Sequence, residues 1–317
     1  MADEVTLRDT GEFALISRIT DGLAADPRVL VGPGDDTAIL ETSGSPIAVT
    51  CDVLVEGRHF RRDWSTAIDV GRKAAAASLA DIAAMGGQAT SLVVGFGAPA
   101  DLPTAWAVEC TAGLREEASA VGASLVGGDV VEAPVVMLSV TALGSLVGAA
   151  VLRSGAQPGD VLAVAGRLGW AAAGLALLSR GFRSPKALVD AHRFPEPPYA
   201  AGPLAAQAGA TAMIDVSDGL VADAWHIAEA SGVALDIDTT GWEVPEPMSA
   251  AASAYHVDPR EWMLTGGEDH ALLATFPAVA AIPEPFRVIG RVRAGGPEIT
   301  VDGIAQQSSG GFRHFSG

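Results

Sequence analysis

The chain has 317 residues, with 38 acidic against 20 basic side chains and a formal net charge of −18, which excludes a protein built to coat nucleic acid or anionic lipid, since such binding needs a basic face. At about 150 residues per domain the length predicts two domains, and 49% apolar content supplies a core for each, which excludes a disordered chain. Two cysteines, Cys51 and Cys110, are too few for a disulfide framework, and the acidic opening Met-Ala-Asp-Glu-Val lacks the order of a secretion signal, so a cytoplasmic protein is expected.

Phe13, Ile16, Ile19 and Leu23 recur at helical intervals and predict a short surface helix over 12–24. Strands are expected over 29–31, 38–40 and 47–52, with Gly32-Pro33-Gly34-Asp35-Asp36 between the first two. A small-residue helix over 69–85 ends at Gly86-Gly87, and a strand over 91–94 packs beneath it. A second helix spans 103–121, and a strand over 124–126 runs into Gly127-Gly128-Asp129. Residues 133–152 carry no charge over twenty positions, the length of a membrane helix. Pro134, Ser139, Thr141, Gly144, Ser145 and Gly148 break that stretch into β-branched runs, so one or two buried strands are expected over 135–146 and no membrane span. Loop formers over 153–160 put the domain boundary near residue 150, giving domains 1–150 and 151–317. The second half repeats the alternation: a strand over 161–165, a helix over 169–179, a proline-rich linker over 194–203, then helix, strand and a glycine turn at Asp218-Gly219. The succession predicts an α/β or α+β layered fold.

Familiar catalytic signatures are absent: there is no P-loop lysine, no Gly-x-Ser-x-Gly elbow, no His-Glu-x-x-His and no Cys-x-x-Cys. What remains is a set of aspartates flanked by apolar residues or glycine, namely Asp35, Asp36, Asp52, Asp81, Asp129, Asp215 and Asp218. An ionised carboxylate buried in such surroundings needs a counter-charge, and with so few basic residues divalent cations are the economical source. Oxygen-only donors without a cysteine–histidine cluster fit Mg²⁺ or Mn²⁺, and a many-aspartate Mg²⁺ site implies a polyphosphate ligand. Gly32, Gly34, Gly127 and Gly128 would let backbone N–H groups approach its oxygens. Any one aspartate beside glycine is more often a turn residue or helix cap; only their joint occurrence favours the metal reading.

Seven motifs occur in order: Gly32-Pro33-Gly34-Asp35-Asp36-Thr37-Ala38, Asp52-Val53-Leu54-Val55-Glu56-Gly57-Arg58-His59-Phe60, Leu79-Ala80-Asp81-Ile82-Ala83-Ala84-Met85-Gly86, Gly127-Gly128-Asp129, the 153–160 loop, Ile214-Asp215-Val216-Ser217-Asp218-Gly219-Leu220 and Gly266-Gly267-Glu268-Asp269. From about Gly11 to Phe315 the chain thereby resembles the thiamine-monophosphate kinase family of the aminoimidazole ribonucleotide synthetase-like superfamily. The resemblance implies a two-domain fold in which N-terminal domains pair into a shared β-barrel across a homodimer, with a C-terminal α/β domain. It implies ATP-dependent phosphorylation of thiamine monophosphate to thiamine diphosphate, with several Mg²⁺ ions. The metal ligands it implies are Asp36, Thr50, Cys51, Asp52, Asp81, Asp129, Asp215 and Asp218. The nucleotide would touch Gly128, Asp129, Arg153 and Ser217, and the thiamine substrate His59, Glu268 and Phe312. Direct in-line attack is expected, and the acceptor phosphate is already ionised, so no general base is assigned. Arg153 would grip phosphate oxygens through its forked donors.

The chain departs from the family pattern at Ser78, Ala80, Cys51, His270 and Thr111. A Cys51 thiol is a poor Mg²⁺ ligand, so the resemblance carries over there through the backbone carbonyl or not at all. Other ATP-using enzymes of the superfamily are the nearest alternatives, followed by a non-catalytic Mg-nucleotide-binding regulator. Selenophosphate synthetase and the hydrogenase carbamoyl-dehydrating factor are disfavoured, because the sequence ends His-Phe-Ser-Gly and has no lysine before Lys73.

Overall fold

The computed structural model describes residues 27–42, 44–146 and 148–306, together with positions 14, 16 and 20. Most of the helix expected over 12–24, and Phe312, lie outside the described residues.

The first half folds into a six-stranded sheet of β1 (Val29–Val31), β2 (Ala38–Leu40), β3 (Ile47–Val55), β4 (Gly87–Ala98), β5 (Ser124–Glu132) and β6 (Met137–Leu146), in the order β1-β2-β3-β6-β4-β5. Parallel strands need a crossover connection, and helix α2 (Thr104–Ala120) supplies it between the parallel neighbours β4 and β5. Helix α1 (Ala67–Ala84) begins at a capping box in which Thr66 accepts from Asp69 N while the Asp69 side chain accepts from Thr66 N. Its alanines lie flat on the sheet, with Ala74, Ala75, Ala76 and Ala80 fully buried. The two helices approach so closely that a Cβ on Gly71 would overlap the Cys110 carbonyl oxygen, and one on Gly113 that of Ile68. Overpacking of this kind costs about 1–3 kcal/mol. Gly71→Ala is therefore expected to lower the urea midpoint with an unchanged slope, and an unchanged midpoint would mean that the helices separate freely.

The second half builds a seven-stranded sheet in the order β13-β12-β9-β11-β7-β10-β8 from β7 (Val161–Ala165), β8 (Ala212–Val216), β9 (Ala234–Ile237), β10 (Ala271–Phe276), β11 (Arg287–Arg293), β12 (Glu298–Val301) and β13 (Ile304–Ala305). Leu162, Val164, Ile214, Val216 and Leu273 share a core on one face. That face is covered by α3 (Trp170–Ser179), α4 (Lys186–Arg193), α6 (Leu220–Ser231), α7 (Glu246–Tyr255) and α8 (Pro259–Thr265). Ala163, Ala165, Met213, Leu272, Ala274 and Phe276 face the other way, onto α5 (Ala201–Gln207) and Ala83 and Ala84 at the end of α1. Burial on both faces explains the unbroken apolar runs. Helix α1 therefore contacts both sheets. By the same alternation Asp215, two positions from Met213, is turned toward α1.

One expectation changes. Gly127-Gly128-Asp129 lies inside β5, which continues to Glu132, and does not form a loop after it. A Cβ on Gly128 would overlap the Val94 carbonyl oxygen, so close strand contact explains that glycine. The uncharged stretch holds one strand, β6, within the expected 135–146, and among the described residues no helix is long and apolar enough to cross a membrane. Among the described residues the helices sit on one face of the first sheet only, leaving Val53, Val93 and Val131 exposed at 45%, 39% and 52%.

Candidate active site

Along β3 strand alternation turns Thr50 and Asp52 toward α1 and Cys51 away from it. Thr50 Oγ1 donates to Asp81 Oδ2 at 2.6 Å, and Ser78 Oγ donates to Asp52 Oδ2 at 2.7 Å. Ser78 and Asp81 are three residues apart on α1 and so lie on one face of the helix. The second sheet brings Asp215 to the same place, and the turn between β1 and β2 brings Asp36.

These carboxyls sense one another. Burial, then Asp52, Asp215 and Asp36, push Asp81 well above the ordinary carboxylate range. Burial also raises Asp52, with Asp215 adding and Ser78 and His270 opposing. At Asp36 burial outweighs the opposing Arg153 charge, Asp215 adds its repulsion, and the carboxyl is pushed up to about 7. Four acids from segments up to 179 positions apart thus share one electrostatic neighbourhood.

Two basic side chains already stand against it. Arg153 Nε donates to Asp36 Oδ1 at 3.1 Å, a terminal guanidinium nitrogen donates to the same oxygen, and Arg153 N donates to Asp35 Oδ1 at 2.7 Å. His270 Nδ1 lies 2.8 Å from Asp215 Oδ2; burial lowers the imidazole's affinity for a proton, but Asp215 more than compensates and its pKa rises. Asp36 Oδ2 remains buried without a hydrogen-bond partner. Among the described residues no three His, Cys, Asp or Glu side chains are placed to hold one ion by themselves. The acids gather without closing a cage, and Mg²⁺ characteristically keeps waters and completes its shell with phosphate oxygens.

Ser217 and Asp218 follow β8 where Gly219, at φ 124°, opens α6. The N–H groups of Asp218 and Gly219 both donate to Asp223 Oδ2, at 3.0 and 2.9 Å. Asp223 went unmarked in the sequence, where its signal is an acid in the first turn of a helix.

His59 accepts from Val55 N through Nδ1 at 3.0 Å, so its ring proton sits on Nε2, the donor tautomer. Glu268 reaches it through a residue the motifs did not mark: Lys73 Nζ donates to the His59 carbonyl at 3.0 Å and to Glu268 Oε2 at 2.7 Å. A lysine inside an alanine-rich helix was the available signal. Glu268 itself stands at φ 66°, a left-handed backbone rare outside glycine and associated with functional sites.

Three expected residues do not join the acids within one chain. The Cys51 side chain is on the uncovered face, with Sγ 3.3 Å from Ser139 Oγ. Asp52 pairs in register with Val140, Val94 and then Gly128, so Gly128 lies three strands away, about 14 Å along the sheet. Asp129 occupies the next row, with Gly95, Ser139 and Val53, and is exposed on the uncovered face. A separate cavity of about 1070 Å³, walled by Trp170, Trp242, Met263 and Arg287, opens near the ends of β7 and β9; neither His59 nor Glu268 lines it.

Family models match both halves, "AIR synthase related protein, N-terminal domain" over residues 34–146 and the corresponding C-terminal domain over 157–302. The thiamine-monophosphate kinase of Mycobacterium tuberculosis is 49% identical over 98% of this chain and 93% of its own. That of Escherichia coli K12 is 35% identical over 90% and 91%. A solved structure described as "AaThiL complexed with AMPPCP and TMP" superposes with a TM-score of 0.90 at 32% identity, covering 99% of this chain and all of the other. The thiamine monophosphate kinase of Aquifex aeolicus gives 0.85 at 31%, covering 95% and 99%.

Proposed function

The chain belongs to the thiamine-monophosphate kinase family, and from that premise we propose that it transfers the γ-phosphoryl group of ATP in line to thiamine monophosphate, giving thiamine diphosphate. The carrying observation is the meeting of Asp36, Asp52, Asp81 and Asp215 in one mutually repelling cluster between the two sheets. A relative whose structure contains AMPPCP and TMP supports the choice of substrates.

The orphan Asp36 Oδ2 and the all-oxygen donor set fit Mg²⁺. Asp36, Thr50, Asp52, Asp81, Asp215 and Asp218 would hold it, with Cys51 contributing through its carbonyl. Bound Mg²⁺ supplies charge neutralisation between donor and acceptor phosphates and over the transferred group. Arg153 binds nucleotide phosphate, held in place by Asp35 and Asp36. Ser217 orients the same phosphates, and the His59 Nε2–H donates to the acceptor phosphate. Glu268 accepts from the aminopyrimidine of the substrate, and Phe312 packs on its rings. No side chain takes a proton in the transfer.

The boundary between the domains lies near residue 150, and two N-terminal domains pair through the uncovered face of the first sheet into a shared barrel. Exposed Val53, Val93 and Val131, together with the edge position of β5 among the described strands, support that pairing. In the dimer Gly128 and Asp129 complete the nucleotide site of the partner subunit, which reconciles their role with their distance from Asp52. Cytoplasmic residence follows from the substrates.

Incubating the purified protein with ATP, Mg²⁺ and thiamine monophosphate should yield thiamine diphosphate and ADP; tight nucleotide binding with no product would favour a regulator. Glu268→Gln should raise the KM for thiamine monophosphate by about tenfold or more, the cost of losing a charged acceptor, and leave that for ATP nearly unchanged. An effect confined to ATP would reverse the placement of the two ligands.

A further inference from the structure

Lys73 is one of two lysines in the chain and is buried in the middle of α1. An ammonium is tolerated there only with full compensation. Three acceptors converge on Nζ: Glu268 Oε2 at 2.7 Å, the His59 carbonyl at 3.0 Å and the His192 carbonyl at 3.1 Å. They match its three hydrogens. The acceptors come from the segment between β3 and α1, the end of α4 and the turn before β10, so one charge ties the first half of the chain to two places in the second.

We propose that Lys73 is the positioning residue of the thiamine monophosphate site, holding Glu268 as an aimed carboxylate and fixing the His59 segment against it. This rests on the reading that His59 and Glu268 contact that substrate. The surroundings leave Glu268 no substitute. Burial alone would raise its carboxyl; the Lys73 charge outweighs burial, with His192 and His270 the other facing groups, and holds it below the usual value. His192 is pushed down to about 3 by burial and by Lys73, so it is neutral at working pH, its Nδ1 3.7 Å from Glu268 Oε2. His270 is bonded to Asp215. The left-handed backbone at Glu268 is tied down by its own N–H donating to the Ser217 carbonyl at 2.7 Å, which leaves side-chain aim to Lys73. The ion pair thus sets both the protonation state and the direction of the acceptor.

The test uses full-length Lys73→Met, Lys73→Gln and Lys73→Arg, read as kcat and both KM values from pH 6 to 9. In either neutral variant the KM for thiamine monophosphate should rise about tenfold or more, with the KM for ATP within about twofold as the check on folding. Its kcat/KM for thiamine monophosphate should also gain a new dependence, falling as pH drops and Glu268 takes up a proton. Lys73→Arg, which keeps the charge, should retain the wild-type pH profile. Adding Glu268→Gln to the neutral variant should remove the new pH dependence and raise the KM no further. Parallel rises in both KM values, or an unaltered pH profile, would overturn the proposal, as would failure of both neutral variants to fold, which would make Lys73 a scaffold residue. If Glu268→Gln alone leaves the KM unchanged, the placement of Glu268 fails; if it shifts the KM and neutral Lys73 variants do not, the role of Lys73 fails by itself.

Discussion

Asp81→Asn should lower turnover by about 10²- to 10³-fold, the several kcal/mol expected of one carboxylate in a metal-assisted transfer, while making the metal-free protein more stable. The two effects have one cause. Asp81 is raised by burial and by Asp52, Asp215 and Asp36, so ionising it opposes folding until cations arrive. The amide removes that repulsion and keeps a hydrogen-bond partner for Thr50 Oγ1. A gain of 1 kcal/mol would appear as about 1–2 °C in melting temperature for a protein of 317 residues. The sign with pH follows by linkage. Asp36, Asp52 and Asp81 have folded pKa values above their unfolded ones, so the folded state binds more protons, and stability present below about pH 4 is lost as pH rises, through about 7 for Asp36. Melting curves without Mg²⁺ should therefore fall from pH 4 to 7.5, and Mg²⁺ should recover the loss at the upper end. Wild-type activity in the Asn variant, or a metal-free melting temperature that rises with pH, would remove the acid cluster from the mechanism.

Asp129→Asn should cut turnover as deeply, yet with little change in stability, because Asp129 is exposed on β5 and away from the buried acids. Mixing the two variants separates a site built within one chain from one shared between two. If each site takes Asp81 from one subunit and Asp129 from the other, a heterodimer of the two variants carries one doubly altered site and one intact site. Random re-association of equal amounts under C₂ symmetry should then restore about a quarter of wild-type activity. A site confined to one chain leaves every site with a lesion, and the mixture stays as inactive as its parts. Measuring activity after denaturation and joint refolding decides between them, provided each variant refolded alone serves as the blank.

The local elements were legible because their signals are local. The helix expected over 69–85 is Ala67–Ala84, the one over 103–121 is Thr104–Ala120, and the strand over 161–165 has the expected bounds. The aspartates were legible as a set, since acids embedded in apolar and glycine-rich segments are costly unless something gathers them. Which of them gather was not. Cys51 and Asp52 are adjacent in the chain yet lie on opposite faces of β3, and Asp129 is carried to the far edge of the sheet by the crossover through α2. Lys73 gave no pattern of its own, because its partners Glu268 and His192 are 195 and 119 positions away.

Motif order by itself was enough to identify the family, and composition and periodicity the layered α/β architecture, since each depends on residue type and short-range spacing. Tertiary structure alone decided which face each side chain presents, which acids repel one another and which single ammonium joins the two halves. Those depend on strand register and on where α1 packs between the sheets, and register is a property of pairing between distant segments that no one segment encodes.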